Sequence, residues 1–221
     1  MTEPPLESAL ASLPIFPLPD VVLFPGALMP LHVFEPRYRQ LTRDVLEGAR
    51  LMAMARLKPG YDAVAEERPP VYPVAGVGYV IASEHLEDGR YHLVLRGVGR
   101  IRIAEELAPA RLYRAVRAQL LVDTHTKRPP AELASGHGQL VALCDRLAKH
   151  LDDGGDSLRA LVRSIASPAA CVDVIAAALV VDPDERQELL ETLDPSARMD
   201  FLLGHVAALI GQYDAGPRTL N

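Results

Sequence analysis

The sequence predicts an α+β protein in two parts, a small, strongly bent β-sheet with one helix packed on it, followed by an all-α bundle. Three observations carry that prediction. Residues 13–123 are dominated by apolar–polar alternation of period two, broken by turn residues. A single stretch of helical spacing, residues 36–50, interrupts them. Everything after the polar Pro-Pro segment at 124–130 repeats at helical spacing instead. The expected organisation is a flexible N-terminal arm over 1–12, a β-rich part over 13–123, a linker over 124–130, a helical part over 131–213 and a tail over 214–221.

The elements follow in order. Two short apolar segments, 21–24 and 28–34, flank Pro25-Gly26. Proline presets φ for the second position of a turn and glycine accepts the positive φ that comes next, so a strand–turn–strand unit is expected. Glu35-Pro36 then opens a helix, because proline at the first helical position loses no hydrogen bond. Tyr38, Leu41, Val45 and Leu46 give that helix one apolar face, and Gly48 stops it. Residues 51–57 alternate as a strand, and 60–73 are a Pro-rich, charged loop.

The clearest hairpin comes next. Val77, Tyr79 and Ile81 alternate up to Asp88-Gly89, a strong hairpin-turn pair. On the return strand Tyr91, Leu93, Leu95, Ile101 and Ile103 are expected on one face, with Arg90, His92, Arg96, Arg100 and Arg102 on the other. Gly97 and Gly99 mark a bulge that bends the sheet towards a barrel. Residues 112–122 supply the last strand.

In the second part, Leu133, Leu140, Cys144, Leu147 and Leu151 mark a helix ending near Gly154-Gly155, and a shorter one covers Leu158 to Ile165. Ser167-Pro168, Asp182-Pro183 and Asp194-Pro195 are three helix starts of one design, a capping side chain followed by proline. Asp182 with Glu185 has capping-box spacing. The last helix carries Met199, Leu202, Leu203, Val206, Leu209, Ile210 and Tyr213 as an apolar stripe.

Composition narrows the function classes. The 221 residues are 49% hydrophobic and 24% charged, with no Trp and 5% aromatics, so aliphatic side chains must fill the core. A net charge of −6 argues against holding nucleic acid or an anionic membrane by bulk electrostatics. Cys144 and Cys171 sit in apolar helical patterns and read as small buried hydrophobes. No secretory signal opens the chain, and the longest apolar run, 174–181, is too short to span a membrane, so a cytoplasmic location is expected.

The stretches LPIFPLPDVVLFPGALMPLHVFEPRYRQL, VGYVIASEHLEDGRYHLVLRGVGRIRI and ACVDVIAAALVVDPDERQELLETLDPSARMDFLLGHV resemble the N-terminal, substrate-binding domain of Lon proteases. The likeness spans roughly residues 13–211 and is strongest to bacterial proteins carrying this domain alone. It implies a PUA-like pseudo-barrel followed by helices, and capture of unfolded or degron-bearing polypeptide. The partner it implies is such a polypeptide, with a protease or chaperone acting in trans, and the role is that of an adaptor or holdase. It implies no enzyme. The motor and Ser–Lys dyad of a Lon protease are missing from these residues: there is no Gly-x-x-x-x-Gly-Lys-Ser/Thr run, and the three lysines, Lys58, Lys127 and Lys149, lie in exposed-looking regions. No cofactor or metal is expected, since neither His-Glu-x-x-His nor Cys-x-x-Cys occurs.

Two sets of residues are candidates for binding. Met29, Phe34 and Tyr38 either line a groove for apolar peptide or pack the core. Glu35 and Arg37 beside them either touch a bound peptide or serve the helix they open, Glu35 at its positive end and Arg37 by fixing it against the sheet through an ion pair. The alternative function is RNA binding. The PUA-like resemblance invites it, and Arg90, Arg96, Arg100 and Arg102, extended by Arg114, would form the basic face. Against it stand the acidic chain, the lack of stacking aromatics in the stripe, and the polar face that any antiparallel sheet keeps in water.

Overall fold

The computed structural model describes residues 6–60, 68–124 and 129–215. The expected arm up to residue 5, the middle of the 124–130 linker with Lys127, and the tail from 216 lie outside the described residues. The chain divides into two compact units, Met1–Val122 with Arg186–Glu191, and Asp123–Glu185 with Thr192–Asn221. A sequence-only boundary near 124 could not anticipate that a helical piece, Arg186–Glu191, belongs with the strands.

The first unit is a six-stranded mixed sheet. Its strands are β1 (Leu13–Leu18), β2 (Leu28–Val33), β3 (Leu51–Arg56), β4 (Val74–His85), β5 (Tyr91–Glu106) and β6 (Ala115–Leu121), in the order β2-β5-β4-β3-β1-β6. A further β5–β6 pairing closes five of them into a ring, with β2 attached outside it. The length of β5 permits this: Tyr91 to Arg96 pair with β2 while Arg100 to Glu106 pair with β6. The bent, barrel-like sheet expected from the alternating segments is therefore present. All six residues of β3 are buried, because it lies inside the sheet between β1 and β4 with both faces covered.

Two clusters fill this unit. Ile15, Ala53, Val77, Ile101 and Val116 come from all five ring strands and pack together. On the opposite side of the strands, helix α2 (Pro36–Glu47) lays Tyr38, Leu41 and Val45 against Phe16, Met52, Met54 and Leu95. Burying side chains of this size contributes about 1.5–3 kcal/mol each, which anchors α2 to the sheet.

Two local expectations are corrected. The first strand is Leu13–Leu18, pairing in parallel with β3, and not residues 21–24. The turn itself is as expected: Gly26 has φ 78° and the Ala27 N–H donates to the Phe24 carbonyl at 3.2 Å. Val22, Leu23 and Phe24 are buried without pairing as a strand, because their backbone crosses β4 and β5 where glycines leave room. The second correction concerns the arm. From residue 6 it is ordered as helix α1 (Leu6–Ala9) and a 3₁₀ turn Leu10–Ser12, with Leu10 buried in the ring cluster.

The second unit is helical: α3 (Pro130–Leu147), α4 (Gly155–Arg163), α5 (Pro168–Leu179), the first turn of α6 (Pro183–Glu191) and α7 (Pro195–Asp214). Helix α3 stops at Leu147 rather than near Gly154, whose positive φ of 92° instead places it at the N-cap of α4. The three Pro-headed starts behave as the sequence predicts. Ser167 Oγ accepts from the Ala170 N–H, Asp182 Oδ1 from those of Asp184 and Glu185, and Asp194 Oδ1 from that of Ser196.

Candidate functional site

A concave surface of the β unit lies across β2, β5 and β4. Register places His32, His92 and Glu84 side by side on three adjacent strands, and Pro30, Val94 and Ala82 in the next parallel row. These six line a groove of about 490 Å³. One end is polar: His92 Nδ1 lies 3.2 Å from Glu84 Oε2, and the His32 and His92 rings are 5.0 Å apart. The middle is apolar. Leu28 (62% exposed) lies on the same side of β2 as Pro30 and His32, and Phe34 (59% exposed) follows the strand with its ring 6.0 Å from His32.

Among the described residues β2 pairs only with β5, so it is an edge. Pro30 fixes which backbone groups face outward. It has no N–H to give the ladder, so it occupies a position directed away from β5. The two-residue period then turns Leu28 and His32 outward as well, leaving their N–H and C=O groups and the Pro30 carbonyl on the open side.

The sequence-derived candidates do not converge. Tyr38 is buried, stacks on Phe16 with ring centroids 3.9 Å apart, and donates its hydroxyl to the Pro17 carbonyl at 3.2 Å. It is a core residue. Met29 is half-buried and faces the cluster under α2. Phe34 alone of the three stands beside the groove. Glu35 and Arg37 pair with each other at 2.9 Å, half-exposed, so Arg37 does not tie the helix to the sheet as the helix-start reading expects. Leu28, Pro30, His32 and Val94 were missed, although a proline inside an apolar strand is itself the signal of an edge.

The arginine stripe is broken up. Arg90 sits in the hairpin turn, where its Nε donates to Asp88 Oδ2 at 2.6 Å; that hydrogen bond pulls the Asp88 carboxyl down to about 2. The bulge between Val77–Gly99 and Gly78–Gly97 inverts the alternation, so Arg96 shares a face with Tyr79 while Arg100 shares the opposite one with Gly76. Arg100 is buried and its Nε donates to the Leu190 carbonyl at 3.0 Å, satisfying the last turn of α6. Arg114 forks onto Glu106 at 2.9 and 2.7 Å. Arg102 is exposed on the same face as the buried Arg100, so among the described residues these arginines form no continuous basic face.

Nucleophilic chemistry at sulfur is also disfavoured. Cys144 and Cys171 are fully buried, and desolvation pushes the Cys144 thiol up to about 12 and raises that of Cys171. At pH 8 both should react with a thiol reagent about a hundredfold or more slower than a free cysteine, and at ordinary speed once urea unfolds the chain. Fast labelling of native protein would show these thiols to be reachable. Among the described residues no group of three or more His, Cys, Asp or Glu is placed to hold a metal ion, and no helix is long and apolar enough to cross a membrane.

Known proteins place this architecture. The family described as the ATP-dependent protease La (LON) substrate-binding domain matches residues 12–208. The Lon protease of Paraburkholderia phytofirmans is 31% identical over 217 residues, covering 92% of this chain and 25% of that protein. The Lon protease of Methylocella silvestris is 29% identical over 94% of this chain and 25% of its own length. The chain thus spans about a quarter of the curated relatives it matches. Among solved structures, a Lon N-terminal domain protein from Xanthomonas campestris superposes with TM-score 0.61 at 25% identity, covering 87% of this chain and 97% of that one. The N-terminal domain of Mycobacterium avium complex Lon protease gives TM-score 0.68 at 17% identity, covering 89% and 98%.

Proposed function

Because this chain belongs to the LON substrate-binding domain family, we propose that it is a non-catalytic recognition module that takes extended, unfolded or degron-bearing polypeptide along the outer edge of β2. The observation that carries this reading is a strand edge that, among the described residues, pairs with no other strand and borders the groove over β2, β5 and β4. A polypeptide laid beside β2 would satisfy its outward groups and set alternate side chains next to Leu28, Pro30 and His32, at the mouth of the groove. Pro30 keeps the edge selective, since it removes one donor and blunts indiscriminate pairing. Capture of this kind would serve protein quality control in the bacterial cytoplasm, either by delivery to a protease or chaperone in trans or by holding the client.

The test uses a reduced, carboxymethylated model protein and short Val/Leu-rich peptides as probes. Binding is expected for both, and N-methylating alternate peptide bonds should abolish it by removing the strand-pairing donors. Leu28→Asp with Phe34→Ser should weaken binding at least tenfold, because an apolar side chain of this size contributes about 1.5–3 kcal/mol when covered. Both positions are more than half exposed, so stability should move by less than about 0.5 kcal/mol. Equal affinity for the methylated and unmethylated peptides would refute strand addition.

A further inference from the structure

A second cavity of the β unit, of about 300 Å³, is lined by Arg37, Arg68, Arg111 and Arg114 together with Tyr113 and Leu112. Four guanidinium groups around one cavity are unusual in a chain of net charge −6. Their carboxylate partners are fewer. Glu106 serves two of them, forked by Arg114 at 2.9 and 2.7 Å and contacted by Arg68 at 2.9 Å. Asp44 lies 3.8 Å from Arg111, and the same oxygen accepts the Tyr113 hydroxyl at 2.8 Å. Arg37 pairs with Glu35. Among the described residues, four cations therefore meet three anions; Arg111 reaches Asp44 only at 3.8 Å and donates its Nη1 to the Tyr113 hydroxyl.

The cations are also held in place in advance. Arg114 is almost fully covered and donates to the Pro69 carbonyl at 2.7 Å. Arg37 lies over the Tyr38 ring at 4.6 Å and Arg111 over the Tyr113 ring at 5.5 Å. Arg37 and Tyr38 belong to the first turn of α2, whose N-cap is Glu35; that carboxylate makes no side-chain cap and pairs with Arg37 instead.

We propose that this cavity binds an oxyanion, a carboxylate or a phosphate, through the guanidinium forks of Arg37 and Arg111 in the field of Arg68 and Arg114. A planar fork matches two oxygens of such a group at once, and a site already ordered by aromatic stacking loses little freedom on binding. The surplus positive charge is then neutralised by the ligand. This site is separate from the β2 groove and does not depend on it.

Titration of the whole chain, followed by calorimetry and by amide chemical shifts, tests the proposal. The probes are inorganic phosphate, pyrophosphate, and one short peptide with either a free or an amidated C-terminus. Saturable one-site binding that weakens with salt is expected for at least one probe. Preference for the free over the amidated peptide assigns the site to a polypeptide terminus; binding of the phosphates alone assigns it to a free anion. Arg37→Gln with Arg111→Gln, both about half exposed and so compatible with folding, should weaken binding at least tenfold. Arg96→Gln, on an exposed position outside the cavity, should leave it within twofold, as should Leu28→Asp in the groove. No saturation with any probe, wild-type affinity in the double variant, or an equal loss with Arg96→Gln would each overturn the proposal.

Discussion

Replacing Arg198 by alanine should cost the helical unit about 3–5 kcal/mol, the range for breaking a buried ion pair from one side. Arg198 is fully buried in α7. Its guanidinium forks onto Asp123 at 2.9 Å through both Nη atoms, lies 3.2 Å from Asp173 Oδ1, and donates to the Thr192 carbonyl at 2.7 Å. Asp173 is itself buried, so removing the cation takes from a covered carboxylate the positive charge 3.2 Å away. Arg198→Lys should recover only part of the loss, since an ammonium cannot fork onto Asp123 while also reaching the other acceptors. Urea unfolding followed by far-ultraviolet circular dichroism measures the effect. A cost below about 1 kcal/mol would mean that water reaches the acids, and the tie between α7 and the residues entering the helical unit would be weaker than its geometry implies.

This residue also shows where sequence reading stops. Apolar spacing made the stripe of α7 legible: Met199, Leu202, Val206 and Ile210 are buried, while Leu203 and Leu209 are only partly covered and Tyr213, at its end, is exposed. Nothing in the spacing marked Arg198 as buried, because an arginine next to an apolar stripe ordinarily points its head to water. Its partners lie 75 and 25 positions away, and only the fold brings them together. The same holds on the sheet. Period two identified β4 and β5 and their Asp88-Gly89 turn, and the glycines at 97 and 99 announced a bulge. What a bulge does to facing was the step not taken: one extra residue moves Arg100 to the opposite face from Arg96, and the supposed basic stripe dissolves. The oxyanion cavity was less legible still. Arg37, Arg68, Arg111 and Arg114 come from a helix start, a loop end and the approach to β6, which no local pattern connects.

Gly76→Ala should be about as damaging as any conservative change in the β unit, costing about 3 kcal/mol or more by forced overpacking. Neither Gly76 nor Gly97 has positive φ, so backbone freedom is not the reason glycine is needed there. The reason is close approach. A Cβ on Gly76 would overlap the carbonyl oxygen of Leu23, and one on Gly97 would overlap that of Phe24. Those two buried residues cross the strands backbone-first, and backbone cannot move aside as a side-chain tip can. The crossing is fixed from its other side as well: Arg186 donates to the Val22 carbonyl at 3.0 Å and lies over the Phe24 ring. Gly204→Ala supplies the contrast. That residue lies mid-helix in α7 with nothing within 4 Å of an added Cβ, so the change should stabilise by about 0.5–1 kcal/mol through helix propensity. Opposite signs for one chemical change at two glycines would tie the cost to the Leu23–Phe24 crossing. Because β4 and β5 also carry Ala82, Glu84, His92 and Val94, a Gly76→Ala chain that still folds should bind the unfolded probe more weakly, whereas Gly204→Ala should bind it as the parent does.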